Sequence, residues 1–323
     1  MQTAIFTHPA CLLHHNAPYD GTGRPAHPEC PERLQAVLRI LRQPGFANLL
    51  WREALALRPD AFDGVHAQDY VRHVLSHVPE NGLFSLDPET SLAPGSDQAA
   101  LHAAGAVINA IDAVMRGDAI NAFCAVRPPG HHAAPRNSSG FCIFNNIALG
   151  AHYAQKTYGL KRIAIIDFDV HHGDGTAVWA AEHPEILFIS SHEEPLWPFT
   201  GHVEEIGKHG NLLNITLPSN SGGETFRYRY ESVALPRLEI FQPELILISA
   251  GFDAHQADPL ASLTLSDDDF NWVTAKLCAC AARHSAGKVV SSLEGGYNVP
   301  ALASAAAAHV QALMTASANA LSL

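Results

Sequence analysis

The stretch DFDVHHGDGT, residues 167–176, places three aspartates and two adjacent histidines directly behind the apolar run RIAII. If residues 162–170 form a strand, alternation puts Asp167, Asp169 and His171 on one face and Phe168 and Val170 on the other. Carboxylates and imidazole on one rigid element suit a divalent ion such as Zn²⁺ or Fe²⁺. Aspartates at a strand end also cap the helix that follows, and Asp174 could serve DGTAVWAAEHP in that way. A cap leaves Asp167 and Asp169 unexplained, because carboxylates buried without a counter-ion are too costly to stand idle.

Three further stretches carry groups of the same kind. In SAGFDAHQADP (249–259), Asp253 and Asp258 are each able to complete a ligand set, although an Asp before Pro is also an ordinary turn residue. Spacing does not choose between them. In RPPGHHAAPRNSSGFC (127–142), two prolines and a glycine stiffen the backbone before His131 and His132. Paired imidazoles on such a loop fit acid–base work near neutral pH. The chain has 20 histidines, so pairing alone is weak; His14 and His15 are also adjacent, and no chemistry is expected of them. In LEGGYN (293–298), the phenol of Tyr297 could donate to a developing oxyanion.

These groups need a scaffold that delivers them to one place. Apolar, branched runs recur at 4–8, 122–126, 162–170, 186–192, 212–218, 245–253 and 288–296, with helical patterns between most of them. Ser96 is positioned to cap a helix that stops at Gly117, and Ser266 with Asp269 to cap one that stops near Gly287. Strand–helix alternation with uninterrupted apolar strands predicts an α/β fold, a parallel sheet covered on both faces. Such sheets bind ligands beyond the carboxyl ends of their strands. The clusters DFDVHHGDG, SSHEE, AGFDAHQADP and LEGGYN each follow an apolar run, so several strands converge on one rim.

Composition narrows the function classes. The 323 residues are 47% hydrophobic and 16% charged, enough for a large core without disulfides. A net charge of −12 with no Lys/Arg block argues against direct nucleic-acid binding or an anionic membrane surface. The six cysteines include no C-x-x-C pair and read as reduced thiols, and MQTAIFTHPA does not resemble a signal peptide. The alanine-rich tail is broken by His309, Gln311, Thr315 and Asn319 and reads as a packed helix. With no linker or repeat, one domain over 1–323 and a cytoplasmic location are expected.

Taken together, RPPGHH, GFCIFNN, DFDVHHGDGT, SAGFDAHQADPLA and LEGGYN resemble the histone deacetylase family, in the family's order, and HPECPERL (27–34) extends the likeness toward the N-terminus. HPECPER, AGFDA and LEGGYN are more similar to the class II branch. The resemblance implies an eight-stranded parallel sheet of arginase/deacetylase type, with helices on both faces. It implies a metal, Zn²⁺ or Fe²⁺, on Asp169, His171 and Asp258, and leaves Asp253 structural. It matches His131 and His132 to the family's two active-site histidines, with Asp167 and Asp174 as their carboxylate partners. It also implies a structural K⁺ beside Asp167, Asp169, the His171 backbone and the Ser190 region.

The implied reaction is metal-assisted amide hydrolysis. His132 takes the proton from water and returns it to the leaving amine, His131 gives electrostatic support, and Tyr297 donates to the oxyanion. The implied substrate-binding residues are Gly140, Phe141, Trp197, Leu260 and Gly295. Phe141 matches one wall of the acyl-lysine channel, and Trp197 falls near the other, in WPFTG where the family often has FPGTG. Leu260 stands where polyamine-selective relatives carry glutamate, which favours acyl-lysine over acetylpolyamine. Arg33 resembles an arginine lining an internal cavity below the metal; a surface helix residue is the plainer alternative. The partners implied are an acyl-lysine protein or peptide, or a small acetylated amine, with a homo-oligomer left open. An acetylpolyamine amidohydrolase and a non-catalytic acyl-lysine binding module are the competing readings.

Overall fold

The computed structural model of the protein describes residues 2–17 and 27–320. Ten strands follow one another: β1 (Thr3–Thr7), β2 (Leu50–Glu53), β3 (Phe84–Ser85), β4 (Ser91–Leu92), β5 (Asn121–Cys124), β6 (Ile163–Asp167), β7 (Ile186–Glu194), β8 (Leu212–Pro218), β9 (Leu245–Ala250) and β10 (Val289–Leu293). Eight form one sheet in the order β2-β1-β5-β10-β9-β6-β7-β8, all of its pairs parallel. The other two, β3 and β4, make a short antiparallel hairpin.

The central strands are mostly apolar because both faces are covered, with Asn121, Asp167, Ser249, Ser291 and Ser292 as their polar members. Every residue of β5, β6, β9 and β10 is buried. Helices Ser96–Arg116 and Asn146–Tyr158 pack on each other, as do Asp267–His284 and Val299–Ala320. β5 is packed by both the first and the last of these. Residues 96–116 and 299–319 are long and apolar enough to cross a membrane by length and composition, but more than half of each, 61% and 56%, is buried against the protein. They are core helices of this sheet.

Several boundaries differ from the sequence reading. β2 escaped it because LWRE is a four-residue edge strand ending in two exposed charges. β7 runs through Glu194, so SSHEE lies within the strand and not after it. Ser96 is the first helical residue, after Gly95 in the left-handed region, and its hydroxyl takes the Ala93 N–H and pairs with His14. Ser266 and Asp269 do form a reciprocal capping box. Asp174 opens the helix Asp174–Ala180 without capping it through its side chain. β6 stops at Asp167, so Asp169 and His171 are not on the strand. The Asp169 N–H turns to Asp167 Oδ1 and the His171 N–H to Asp169 Oδ1, each two residues back, which draws the chain off the ladder.

Candidate active site

The topology brings four polar segments to one edge. β5, β10, β9 and β6 are contiguous, and from their carboxyl ends come GHH (130–132), LEGGYN (293–298), GFDAHQADP (251–259) and DFDVHHGDG (167–175). This is the position at which parallel sheets bind ligands.

Asp169, His171 and Asp253 form a cluster whose ligand-type atoms all lie within 4.8 Å of one another. His171 Nδ1 is 3.1 Å from Asp169 Oδ1 and 3.2 Å from Asp253 Oδ2. Asp253 Oδ1 accepts the Val170 N–H at 2.9 Å, while its buried Oδ2 has no hydrogen-bond partner. Asp258 adjoins this group but turns its oxygens to backbone: Oδ1 takes the Leu260 N–H at 3.1 Å, and Oδ2 those of Tyr297 at 2.6 Å and Asn298 at 3.3 Å. Burial and the charge of Asp253 raise Asp258 to about 6, and burial and Asp169 raise Asp253. Burial opposes charge on His171, yet Asp169 and Asp253 raise it to about 10. Three crowded, dry carboxylates and one over-basic imidazole are short of positive charge, so the donor set fits a divalent cation. Gly251 and Gly295 leave room beside it: a Cβ on either would overlap Asp169 Oδ2.

The two histidines of GHH sit in different electrostatic settings. His131 Nδ1 is 2.9 Å from Asp167 Oδ2, and its Nε2 is 3.8 Å from Asp169 Oδ2. Burial disfavours its charge, but Asp167 and Asp169 hold its pKa well above the usual imidazole value. His132 Nδ1 is 2.7 Å from Asp174 Oδ1. Burial, then the neighbouring His131, lowers His132 to about 4 despite that carboxylate. The carboxylates favour the charged form of His131, while burial beside that ring favours the neutral form of His132, and opposed settings of this kind suit a division of acid and base roles.

Glu294 is a site residue that sequence reasoning passed over in favour of Tyr297. It is fully buried, and Oε2 accepts the N–H groups of Gly130 at 2.6 Å and His131 at 3.2 Å. Burial raises it to about 7 against the pull of His131. The signal was present: a carboxylate ending an apolar strand raises the same question as Asp167.

Tyr297 is partly buried, and burial raises its phenol well above the ordinary value, which keeps the O–H a donor. Its ring meets Phe141 edge-on at 5.8 Å and lies 4.9 Å from the Arg33 guanidinium. Arg33 is wholly buried, so the surface alternative fails. It donates to the Gly296 and Glu294 carbonyls and, at 3.1 Å, to Glu29 Oε1. Glu29 also pairs with Arg127, through a close Nε contact and Nη2 to Oε2 at 2.7 Å. Burial alone would raise Glu29, but Arg127 and Arg33 bring it to about 2.

Trp197 packs edge-on to His132 at 4.7 Å and to His171 at 6.0 Å. Gly140 lets it in, since a Cβ there would press on both the indole and His132. Leu260 is 38% exposed, two residues past Asp258. Gly295 donates its N–H to Asp169 Oδ2 at 2.8 Å. Cys142 is buried, and burial pushes its thiol well above the ordinary value, so it is no nucleophile. His14 is buried against Ser96 and Glu29.

A carboxylate–imidazole cluster, two carboxylate-paired imidazoles and a nearby phenol are groups of the kind that serve hydrolysis. Comparison with known proteins agrees. A family model described as "Histone deacetylase domain" matches residues 27–313. "Histone deacetylase 10, chloroplastic", from Oryza sativa subsp. japonica, is 36% identical over 318 residues, covering 92% of this chain and 72% of its own length. "Histone deacetylase-like amidohydrolase", from Pseudomonas aeruginosa, is 35% identical over 313 residues, covering 92% of this chain and 82% of its own. A solved structure titled "Crystal Structure of HDA15 HD domain" matches with a TM-score of 0.89 at 30% identity, over 99% of this chain and 92% of that one.

Proposed function

The chain belongs to the histone deacetylase family, and from that premise we propose that it is a metal-dependent amidohydrolase removing acetyl or other short acyl groups from the lysine side chain. One observation carries the reading. Adjacent histidines, each hydrogen-bonded through Nδ1 to its own carboxylate, stand beside a carboxylate–imidazole cluster.

The family pattern gives Asp169, His171 and Asp258 as the residues that hold the ion, Zn²⁺ with Fe²⁺ as the alternative, and when bound it supplies Lewis acidity at the amide carbonyl. The orphaned Oδ2 of Asp253 makes that carboxylate the rival third ligand. His132 keeps Nε2 free as a proton acceptor because Asp174 occupies Nδ1. It takes the proton of the attacking water and hands it to the leaving amine. His131, kept cationic by Asp167, stabilises negative charge as it develops on the carbonyl oxygen, and Tyr297 donates to the same oxygen. Phe141 and Trp197 wall the acyl-lysine stem, with Gly140 and Gly295 giving close approach. The family pattern gives a structural K⁺ at Asp167, Asp169, the His171 backbone and the Ser190 region.

Leucine at position 260 favours acyl-lysine over an acetylated polyamine, whose second ammonium would meet no carboxylate there. We place the protein in the cytoplasm, in keeping with its six unpaired thiols. The test is acetate release from an acetyl-lysine peptide by metal-stripped protein, before and after Zn²⁺ or Fe²⁺ is returned, with H132A as control. Binding of the peptide with no release under any metal would make the protein a non-catalytic acyl-lysine reader.

A further inference from the structure

Trp197 belongs to the loop WPFTG, and its neighbour Phe199 is an oddity in two respects. Its side chain is 67% exposed. Its backbone sits in the left-handed region at φ 60°, where an aromatic residue is strained and glycine would not be. FPGTG, the family pattern this loop resembles, has that glycine at the corresponding place, so this chain carries a strained, solvent-facing phenyl ring where none is needed for the turn.

The loop around it is firmly held. On one side Trp197 packs on His132 at 4.7 Å and over Gly140. On the other, Thr200 Oγ1 is 2.8 Å from His172 Nδ1, and His192 Nε2 is 3.0 Å from the Gly201 carbonyl. The rings of His172 and His192 meet at 4.8 Å, tilted by 50°, and Gly201, at φ 84°, lies on both so closely that a Cβ would press into them. The Phe199 N–H is taken by the Leu196 carbonyl at 2.9 Å. His172 thus gains a task that the sequence did not suggest. With both flanks anchored, the loop presents Phe199 to solvent two residues from Trp197. Leu260, on the loop of Asp258, adds a second exposed apolar side chain near the site.

We infer that Phe199 is a specificity-determining residue, a platform for the side chain next to the acyl-lysine of a polypeptide substrate, and that the preferred neighbour is apolar. This rests on the acyl-lysine hydrolase reading above. A polyamine has no side chain to place there. A polypeptide carries one about 3.8 Å along the chain on either side. A preorganised ring gains affinity for an apolar neighbour without an ordering cost.

The experiment compares wild type, F199A and F199G on three substrates: capped single-residue Nε-acetyl-lysine, an acetyl-lysine peptide flanked by leucine, and the same peptide flanked by serine. Wild type is expected to prefer the leucine peptide about five- to tenfold in kcat/KM, chiefly through KM. Both variants should lose that preference and keep wild-type rates on the single residue. F199G also relieves the backbone strain, so agreement between the variants assigns the effect to the ring. A preference retained in both variants, or absent from the wild type, overturns the inference while leaving the hydrolase reading intact. A wild type that cleaves none of the three overturns both.

Discussion

Glu294 holds His131 by its backbone, taking the N–H of that residue and the shorter bond from Gly130 with a single carboxylate oxygen. The loop that presents both histidines is thereby tied to the end of β10. Replacing Glu294 by alanine leaves two buried N–H groups without an acceptor, at about 1–3 kcal/mol each. We expect E294A to lower kcat at least about tenfold through misplacement of the imidazoles. E294Q keeps an accepting oxygen and should stay closer to wild type. Equal kcat in all three proteins would show that the loop holds its shape unaided.

Tyr297→Phe removes the phenol donor and keeps the ring against Phe141 and Arg33. Turnover should fall on the order of a hundredfold, the worth of one oxyanion donor, with KM and thermal stability little changed. Steady-state kinetics on an acetyl-lysine peptide decide the matter, and an undiminished kcat removes Tyr297 from the mechanism.

The third metal ligand can be identified by metal content. We expect D258N to lose tightly bound Zn²⁺ and D253N to retain most of it, as the family pattern implies. The reverse outcome would assign the ion to the orphaned oxygen of Asp253. A chelator should abolish hydrolysis in the wild type, with Zn²⁺ or Fe²⁺ restoring it.

Leu260→Glu should shift preference toward acetylspermidine relative to an acetyl-lysine peptide, because the new carboxylate can meet a second ammonium. Assays of the two substrates side by side check this. If the ratio does not move, selectivity resides in another residue of the rim.

Acid should destabilise the fold through interior histidines kept neutral by burial, which outnumber the raised carboxylates Glu294 and Asp258 whose protonation in the same range acts in the opposite direction. Burial lowers His14 and His309 to about 3 and His66 to about 4. Each is neutral in the folded protein and takes up a proton on unfolding below about pH 6.5. The unfolded chain then binds more protons, so stability rises with pH and is lost as pH falls through 6.5 toward 4. Each group contributes up to about 1.4 kcal/mol per pH unit in that window. Urea midpoints should drop steadily from pH 7 to pH 5, and a flat profile would contradict the assignment of neutral interior histidines.

Much of this architecture is legible in the chain because its central strands are short, predominantly apolar runs, from AIFTH to VVSSL. β2 was not, since a short strand at the sheet edge needs no buried side chain on its outer flank and carries Arg52 and Glu53 instead. The histidine–aspartate pairings came from likeness to a family, as no spacing rule links 131 with 167 or 132 with 174. Glu29 and Glu294 were harder still: both are buried acids whose partners lie far along the chain, Arg127 at a separation of 98 residues and Gly130 at 164. Local pattern reports the period of an element well, but it reports an electrostatic partner only when that partner lies nearby in sequence. The choice between Asp253 and Asp258 fails for the same reason, because both follow β9 and their distinction lies in which backbone groups they meet.

Gly295 has a consequence for how this protein tolerates change. Its α-carbon stands where a single added methyl group would intrude on Asp253 and Asp169 together. The smallest substitution available to the chain, glycine to alanine, would therefore crowd both carboxylates directly. The sheet and its helices leave such a position alone, so the carboxylate cluster tolerates less change at Gly295 than the fold does.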